Sequence, residues 1–394
     1  MGFNTFMIVA GEASGDLLAA ELVSALSAQS LAINPASAPR FFGAGGPKMA
    51  GAGVELAFDM TRHAVIGISD VLKHYFKFRR LFRELLTLAV KRRPQAIIGV
   101  DYGGFNLRFG HAVRNRAREH PGDWDPKFIQ FVSPQVWASR PGRAKRLATD
   151  CDLLLSIFPF EKDWYGQRAP TLRVEFVGHP MVERLASARR APQGPAPGQN
   201  GAREAHPAGL LLLPGSRVSE LKSHLPVMLG ALELLQPRFP GLRAKMVLPD
   251  PTLKDLAEKL AGPRSGLELQ TGRLPEALAH ADAAIASTGT VTMECAFFGV
   301  PTVTLYKTSW FTYQIARRIV TVKSLTMPNL LAGEEVYPEF IQGAATPETL
   351  SRAVLDLLRN EARRQRIKSQ LAGIISSLGG PGASARAAAA ILSL

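Results

Sequence analysis

Short apolar runs with strand-like composition, each followed by a longer stretch of helical spacing, recur along nearly the whole chain, and few folds accommodate that alternation. It reads as stacked βαβ units, hence an α/β architecture built on parallel sheets. In the first half the pattern predicts strands near 5–10, 39–43, 96–100, 127–132, 152–156 and 174–177, with helices near 14–29, 69–93, 104–118 and 140–148. Between about Leu185 and Pro207 the composition shifts to Ala, Pro, Gly, Gln and Arg with almost no large apolar residue, as a linker or surface insertion requires. The alternation then restarts at Leu210–Leu213, with strands near 242–248, 266–270, 283–286 and 301–305. The 394 residues, 46% hydrophobic and 20% charged, suffice for two cores. The expected organisation is a Rossmann-like domain over 1–184, a linker over 185–207, a second Rossmann-like domain over 208–345, and terminal helices over 346–394 that could pack on either domain. Ligands of open parallel sheets bind beyond the carboxyl ends of the strands, so two such sheets facing one cleft suit a two-substrate transferase.

The 47 Lys and Arg outnumber the 33 Asp and Glu, and the net charge of +14 predicts attraction to polyanions: nucleic acid, anionic lipid or a phosphorylated substrate. Cys151 and Cys295 are far apart and form no CxxC pair, which suggests neither a disulfide framework nor a zinc site and fits a reducing cytoplasm. The start of the chain lacks the plan of a signal peptide, so export is not expected, and the apolar runs are broken by charges, Gly or Pro before the roughly 18 residues a spanning helix needs. Membrane contact is therefore expected to be peripheral. Residues 71–93 interleave Lys73, Lys77, Arg79, Arg80 and Arg83 with Tyr75, Phe76, Phe78 and Phe82, and Trp310, Phe311 and Tyr313 lie beside Arg317 and Arg318. Such mixtures suit an anionic membrane surface or an acylated phosphosugar, although a partly buried helix with a solvated basic face carries the same residues. Lys73, Phe76, Lys77, Arg80, Trp310 and Phe311 are the candidate membrane or acyl contacts.

The strongest local signal is Ser287-Thr288-Gly289-Thr290, after the apolar run Ala283–Ala286 and before a helical run through Glu294 and Phe298. A small-residue turn lets backbone N–H groups close on a phosphate, and the helix N-terminus adds about half a positive charge there. Glu294, about two turns into that helix, could accept bonds from the two hydroxyls of a ribose, so the pair suggests a nucleoside diphosphate. An ordinary capped helix shows the same residues. A second turn, Leu213-Pro214-Gly215-Ser216-Arg217, places Arg217 to pair with phosphate oxygens, unless it is only a surface Arg after a tight turn. The chain has no GxxxxGK[ST], and Gly43-Ala44-Gly45-Gly46 does not complete GxGxxG, which counts against ATPase and dehydrogenase readings. The turn Gly11-Glu12-Ala13-Ser14-Gly15-Asp16 carries two acids that oppose a phosphate and suit sugar hydroxyls. Asp101 ends the run Ala96–Val100 and opens the glycine-containing loop Tyr102-Gly103-Gly104-Phe105-Asn106, where a carboxylate can act as general base on a sugar hydroxyl or simply cap a helix. His63, His74, His111, His179 and His206 show no ligand spacing; no metal and no cofactor are expected.

Across these stretches the chain resembles the lipid-A-disaccharide synthase family of GT-B glycosyltransferases. The likeness is carried by Ala10–Asp16, Val65–Leu72, Val132–Trp137, Phe158–Glu161, Gly178–Pro180, Leu213–Arg217, Thr290–Cys295 and Pro328–Gly333. It implies inverting transfer from a UDP-linked 2,3-diacylglucosamine to 2,3-diacylglucosamine 1-phosphate, giving a β-1,6 disaccharide and UDP at the cytoplasmic face of the bacterial inner membrane. By that resemblance Asp101 is the base, Arg217 and Ser287–Thr290 stabilise the leaving UDP, and Glu294 holds the ribose. Asn329, Glu339 and Gln342 line the donor side, and Glu12, Ser14, Asn106 and Trp137 the acceptor side. The sequence departs from the family at Gly103, where a Pro is usual, and at Ser139, where a Trp is usual. A homodimer is left open and no nucleic-acid partner is expected. The competing readings are an enzyme like UDP-N-acetylglucosamine 2-epimerase or another GT-B enzyme on a non-lipid substrate, and a non-catalytic polyanion binder.

Overall fold

The computed structural model describes residues 3–61, 71–119, 122, 124–190 and 208–394, with the side chains of 71–78, 187, 189 and 190 left aside. The chain divides into two compact units, Met1–Pro180 with Leu378–Leu394, and Met181–Ser377. In the first unit, β1 (Thr5–Ala10), β2 (Arg40–Gly45), β3 (Glu55–Asp59), β4 (Ala96–Val100), β5 (Lys127–Phe131), β6 (Leu153–Ser156) and β7 (Val174–Phe176) form one parallel sheet in the order β3-β2-β1-β4-β5-β6-β7. In the second, β8 (Gly209–Leu213), β9 (Arg243–Leu248), β10 (Leu267–Thr271), β11 (Ala283–Ser287), β12 (Thr302–Tyr306) and β13 (Glu339–Ile341) form another in the order β10-β9-β8-β11-β12-β13. The α/β expectation holds in both units.

Central strands of such sheets are covered on both faces, which is why β4 (Ala-Ile-Ile-Gly-Val) and β11 (Ala-Ala-Ile-Ala-Ser) are buried at every position and read in sequence as unbroken apolar runs. The edge strands β3 and β13 carry Glu and Asp and escape a search for apolar runs. Both sheets reverse strand order once, between β1 and β4 in the first and between β8 and β11 in the second. At each reversal the two strands end side by side, Ala10 opposite Val100 and Leu213 opposite Ala286. The helices after adjacent strands diverge there to opposite faces, which opens the crevice in which ligands of open α/β sheets bind.

The terminal helices are shared between the units. Helices Pro347–Arg359 and Glu361–Ser377 complete the second, whereas Ala383–Leu392 lies on helix Ala13–Ile33 in the first. Its alanines Ala383, Ala387, Ala388 and Ala390 bury a small-residue face. Gln29 Nε2 donates to the Ala385 carbonyl at 2.8 Å and Arg386 Nε to that of Val177 at 2.8 Å, fixing the docking.

Helix Ala13–Ile33 is long and apolar enough to cross a membrane by length and composition, a case that the reading of broken apolar runs passed over. Its Leu18, Ala19, Leu22, Val23 and Leu26 belong to the core of the first unit. Leu185–Arg190, read as the start of the linker, are the end of helix Met181–Arg190; residues 191–207 lie outside the described residues, as do 62–70 and with them most of the Val65–Leu72 stretch.

Candidate functional site

Asp101 follows β4 at the reversal of the first sheet and is exposed. Both it (φ 52°) and Tyr102 (φ 40°) are left-handed, a conformation that costs an L-residue roughly 1–2 kcal/mol. Three bonds hold the turn: Asp101 N–H donates to Phe131 O at 2.6 Å, and the Asp101 carbonyl accepts from Asn106 Nδ2 and Gln130 Nε2, each at 3.0 Å. Asn106 is fully buried and also points its amide at the carbonyls of Val9 and Val100 at 3.4 Å. It therefore fixes the Asp101 turn from below. Across the reversal, Ser14 Oγ donates to Asp101 Oδ2 at 3.4 Å, which joins the β1 and β4 turns. Gly11 is required beneath: a Cβ there would stand 2.3 Å from the Tyr102 ring.

The two acids of the Gly11–Asp16 turn have separate fates. Asp16 is buried and its carboxylate accepts from the N–H groups of Gly46 (2.8 Å), Lys48 and Met49 (both 3.0 Å), so it caps helix Pro47–Gly51 and is not available to a sugar. Glu12 is exposed and makes no capping bond; burial, and after it the Glu12 charge, push the neighbouring Tyr102 hydroxyl up. Trp137 is buried and donates from Nε1 to Glu161 Oε1 at 3.0 Å, so its polar atom points into the unit. Burial pushes the Glu161 carboxyl up to about 7 despite its bonds to Trp137, Ser133 and the Phe158 N–H.

In the second unit the two expected phosphate turns end adjacent strands at the reversal. Gly289 has φ 147° and open space around it, and helix Thr290–Phe297 begins at the next residue with no side chain capping its N–H groups. Glu294 is four positions past Thr290, just over one turn into the helix and nearer the turn than the two turns first read. Burial raises its carboxyl and the charge of Arg184 opposes that rise. At the other turn Gly215 has φ 120°, and Glu220 accepts from the Ser216 N–H at 3.0 Å and from Arg217 Nη1 at 3.1 Å, leaving the Arg217 side chain 71% exposed.

His224, which the sequence did not single out, ties this turn to the next one. Buried on helix Val218–Leu235, it approaches the Pro214 carbonyl through Nδ1 at 2.7 Å and accepts from the Lys307 N–H through Nε2 at 3.0 Å. Those partners require the neutral Nδ1–H tautomer, and burial holds the ring below its ordinary range. Only the fold reveals this, because in sequence His224 is one residue on an apolar helix.

Three residues expected to line the donor side are committed within the unit. Asn329 is buried, donates to Tyr337 O and Glu339 Oε1 at 2.8 Å, and accepts from the N–H groups of Val336 and Tyr337 at 2.9 and 2.8 Å, which fills its amide. Glu339 also accepts from the N–H groups of Leu325 and Thr326 and from Thr326 Oγ1. Gln342, left-handed at φ 53°, exchanges both amide groups with the Thr308 backbone. They act as a latch that holds the segments after β12 against β13.

Helix Trp310–Ile319 has no buried residue; Trp310 and Phe311 are 73% and 67% exposed, beside Ile315, Arg317 and Arg318. The first basic stretch forms helix Val71–Arg92, on which Arg80 is exposed and pairs with Glu84 at 2.7 Å; the side chains of Lys73, Phe76 and Lys77 lie outside the described residues. Among the described residues no group of three or more His, Cys, Asp or Glu could hold a metal ion.

Solved structures resemble this fold at low identity. The UDP-GlcNAc 2-epimerase from Neisseria meningitidis superposes with a TM-score of 0.61 at 10% identity, covering 99% of this chain and 100% of that one. The calicheamicin glycosyltransferase CalG4 superposes at 0.58 and 16%, covering 100% and 99%. These likenesses establish the GT-B architecture alone. Sequence decides the family. The model of the lipid-A-disaccharide synthetase family matches residues 6–392. The lipid-A-disaccharide synthase of Trichlorobacter lovleyi is 37% identical over 98% of this chain and 97% of its own length, and that of Anaeromyxobacter sp. is 37% identical over 99% and 97%. The chain thus belongs to the lipid-A-disaccharide synthase family, glycosyltransferases of lipid A biosynthesis.

Proposed function

We propose that this enzyme transfers 2,3-diacylglucosamine from UDP to the 6-hydroxyl of 2,3-diacylglucosamine 1-phosphate, with inversion, to give the β-1,6 disaccharide 1-phosphate and UDP. The observation that carries the reading is the pairing of two strand reversals of opposite chemistry: an exposed carboxylate at one, two glycine turns at the other, of which the turn at Gly289 opens helix Thr290–Phe297 with no side chain capping its N–H groups. The acceptor 6-O–H gives its proton to the Asp101 carboxylate as the oxygen attacks the anomeric carbon of the donor. The bond from that carbon to the UDP oxygen breaks, and UDP leaves with the electron pair. N–H groups of the 287–290 turn and the Arg217 guanidinium take up the charge that develops on the diphosphate. Glu294 accepts from the ribose hydroxyls, and Ser14 and Glu12 border the acceptor. The leaving group is already a good anion, so the reading assigns no cofactor, no metal and no protein acid.

Both sugars carry acyl chains, and the exposed Trp310, Phe311 and Ile315 beside Arg317 and Arg318 support peripheral docking on an anionic leaflet, at the cytoplasmic face of the inner membrane. The test is UDP release from UDP-2,3-diacylglucosamine in detergent micelles, with and without 2,3-diacylglucosamine 1-phosphate. Acceptor-dependent release together with a new disaccharide is the expected result. Release that ignores the acceptor sinks the reading in favour of epimerase-like chemistry.

A further inference from the structure

We propose that the groove between helices Gly103–Glu119 and Arg143–Asp150 of the first unit binds a phosphomonoester, and that this phosphate is the one carried by the acceptor sugar. The second clause rests on the transfer reaction proposed above; the first does not. The groove is lined by Gly104, Leu107 and Arg108 from one helix and by Arg143, Arg146 and Leu147 from the other, with Arg140 just before the second helix. Arg108, Arg140 and Arg143 make no ion pair among the described residues, whereas nearby Arg114 is paired with both Asp125 and Asp152. Burial and the like charges of Arg140, Arg108 and Arg146 hold the Arg143 guanidinium below its ordinary range, and of these four cations only Arg146 has an acidic partner, Asp150.

The acid in the groove, Asp150, does not neutralise the other three, since its carboxylate is engaged by His111 Nδ1 at 3.0 Å and Arg146 Nε at 3.6 Å. Neither helix has an acidic residue in its first turn, and both N-termini lie at the carboxyl edge of the sheet, where their dipoles add positive potential. Gly104, on the groove wall, is three residues past Asp101. A phosphate held here by the planar guanidinium forks keeps its own sugar beside the base. The signal was invisible along the sequence because Arg108 and the 140–146 segment are brought together only by the packing of the two helices.

The test uses the full chain and its Arg143→Ala and Arg140→Ala/Arg143→Ala variants, with folding checked by thermal melting and charge retained in Arg143→Lys. Inorganic phosphate is titrated calorimetrically, KM is measured for acceptor and donor, and co-sedimentation is followed with phosphatidylglycerol and phosphatidylcholine vesicles. The proposal expects phosphate affinity to fall tenfold or more in the alanine variants, with a matching rise in acceptor KM, an unmoved donor KM and partial rescue by Lys. Dephosphorylated acceptor should bind wild type and variants alike. Phosphate affinity equal in folded wild type and variants overturns the site, whether or not the enzyme makes disaccharide. Reduced phosphate affinity with unchanged acceptor KM and lost phosphatidylglycerol binding overturns the acceptor assignment and gives the groove to a lipid headgroup.

Discussion

At the β1/β4 reversal the left-handed backbone falls on Asp101 and Tyr102, neither of them Gly; at the β8/β11 reversal the positive φ angles fall on Gly215 and Gly289. In the proposed reaction the first turn acts through a side chain, so it keeps the side chain and carries the strain, which Asn106, Gln130 and the Phe131 carbonyl restrain. In the same proposal the second pair acts through backbone N–H groups, so it can dispense with Cβ atoms and let a diphosphate approach. A reader who knows only that both sites are glycine-containing strand-to-helix turns misses this division, on which the proposed assignment of the base to the first unit rests.

The sharpest break of the comparison is Asp101→Asn, which keeps the turn and removes the proton acceptor. Turnover should drop on the order of 10²- to 10⁴-fold, measured as UDP release at saturating substrates. A loss below tenfold would mean that the strained turn serves something other than base catalysis. A second probe is the raised carboxyl of Glu161 in the first unit. Burial pushes the Glu161 carboxyl from its ordinary value of 4.5 up to about 7. Its folded value is raised, so its contribution is complete below pH 4.5 and is lost as pH rises through about 7, an effect of roughly 3 kcal/mol across that window. Urea midpoints at pH 5 and pH 8 should differ less in Glu161→Gln than in wild type, and an unchanged difference would remove Glu161 from the account.

Asn106→Ala removes the amide that holds the strained carbonyl, and we expect a loss of roughly 1–3 kcal/mol in denaturant unfolding, with donor affinity intact. Weakened UDP binding in that variant would blur the division between the units. The smallest effect is expected from Gly289→Ala. Nothing crowds a Cβ there, so the cost is only the φ of 147°, roughly 1 kcal/mol, with weaker UDP binding and little change in acceptor KM.

Much of this was legible because both reversals sit on strands buried on two faces: Ala96–Val100 and Leu210–Leu213 announce themselves as apolar runs, and the residues that follow them must be turns. What the sequence withheld were the partners. Asp16 reads as a loop acid until Gly46, Lys48 and Met49 donate to it, and nothing around Asn329 in sequence shows that Glu339, Val336 and Tyr337 fill its amide. His224 and Asn106 likewise act through groups far along the chain. The split of the terminal helices depends on the small-residue face of Ala383–Leu392, which finds its counterpart on helix Ala13–Ile33.

The central claim is that the base belongs to the first unit and the diphosphate site to the second. Its most direct test is calorimetric titration of UDP into wild type, Asp101→Asn and Glu294→Ala, set beside turnover of the same samples. The account predicts wild-type UDP affinity in Asp101→Asn, whose turnover is nearly abolished, and a ten- to hundredfold weaker affinity in Glu294→Ala. UDP binding lost in Asp101→Asn and retained in Glu294→Ala would contradict it and exchange the roles of the two units.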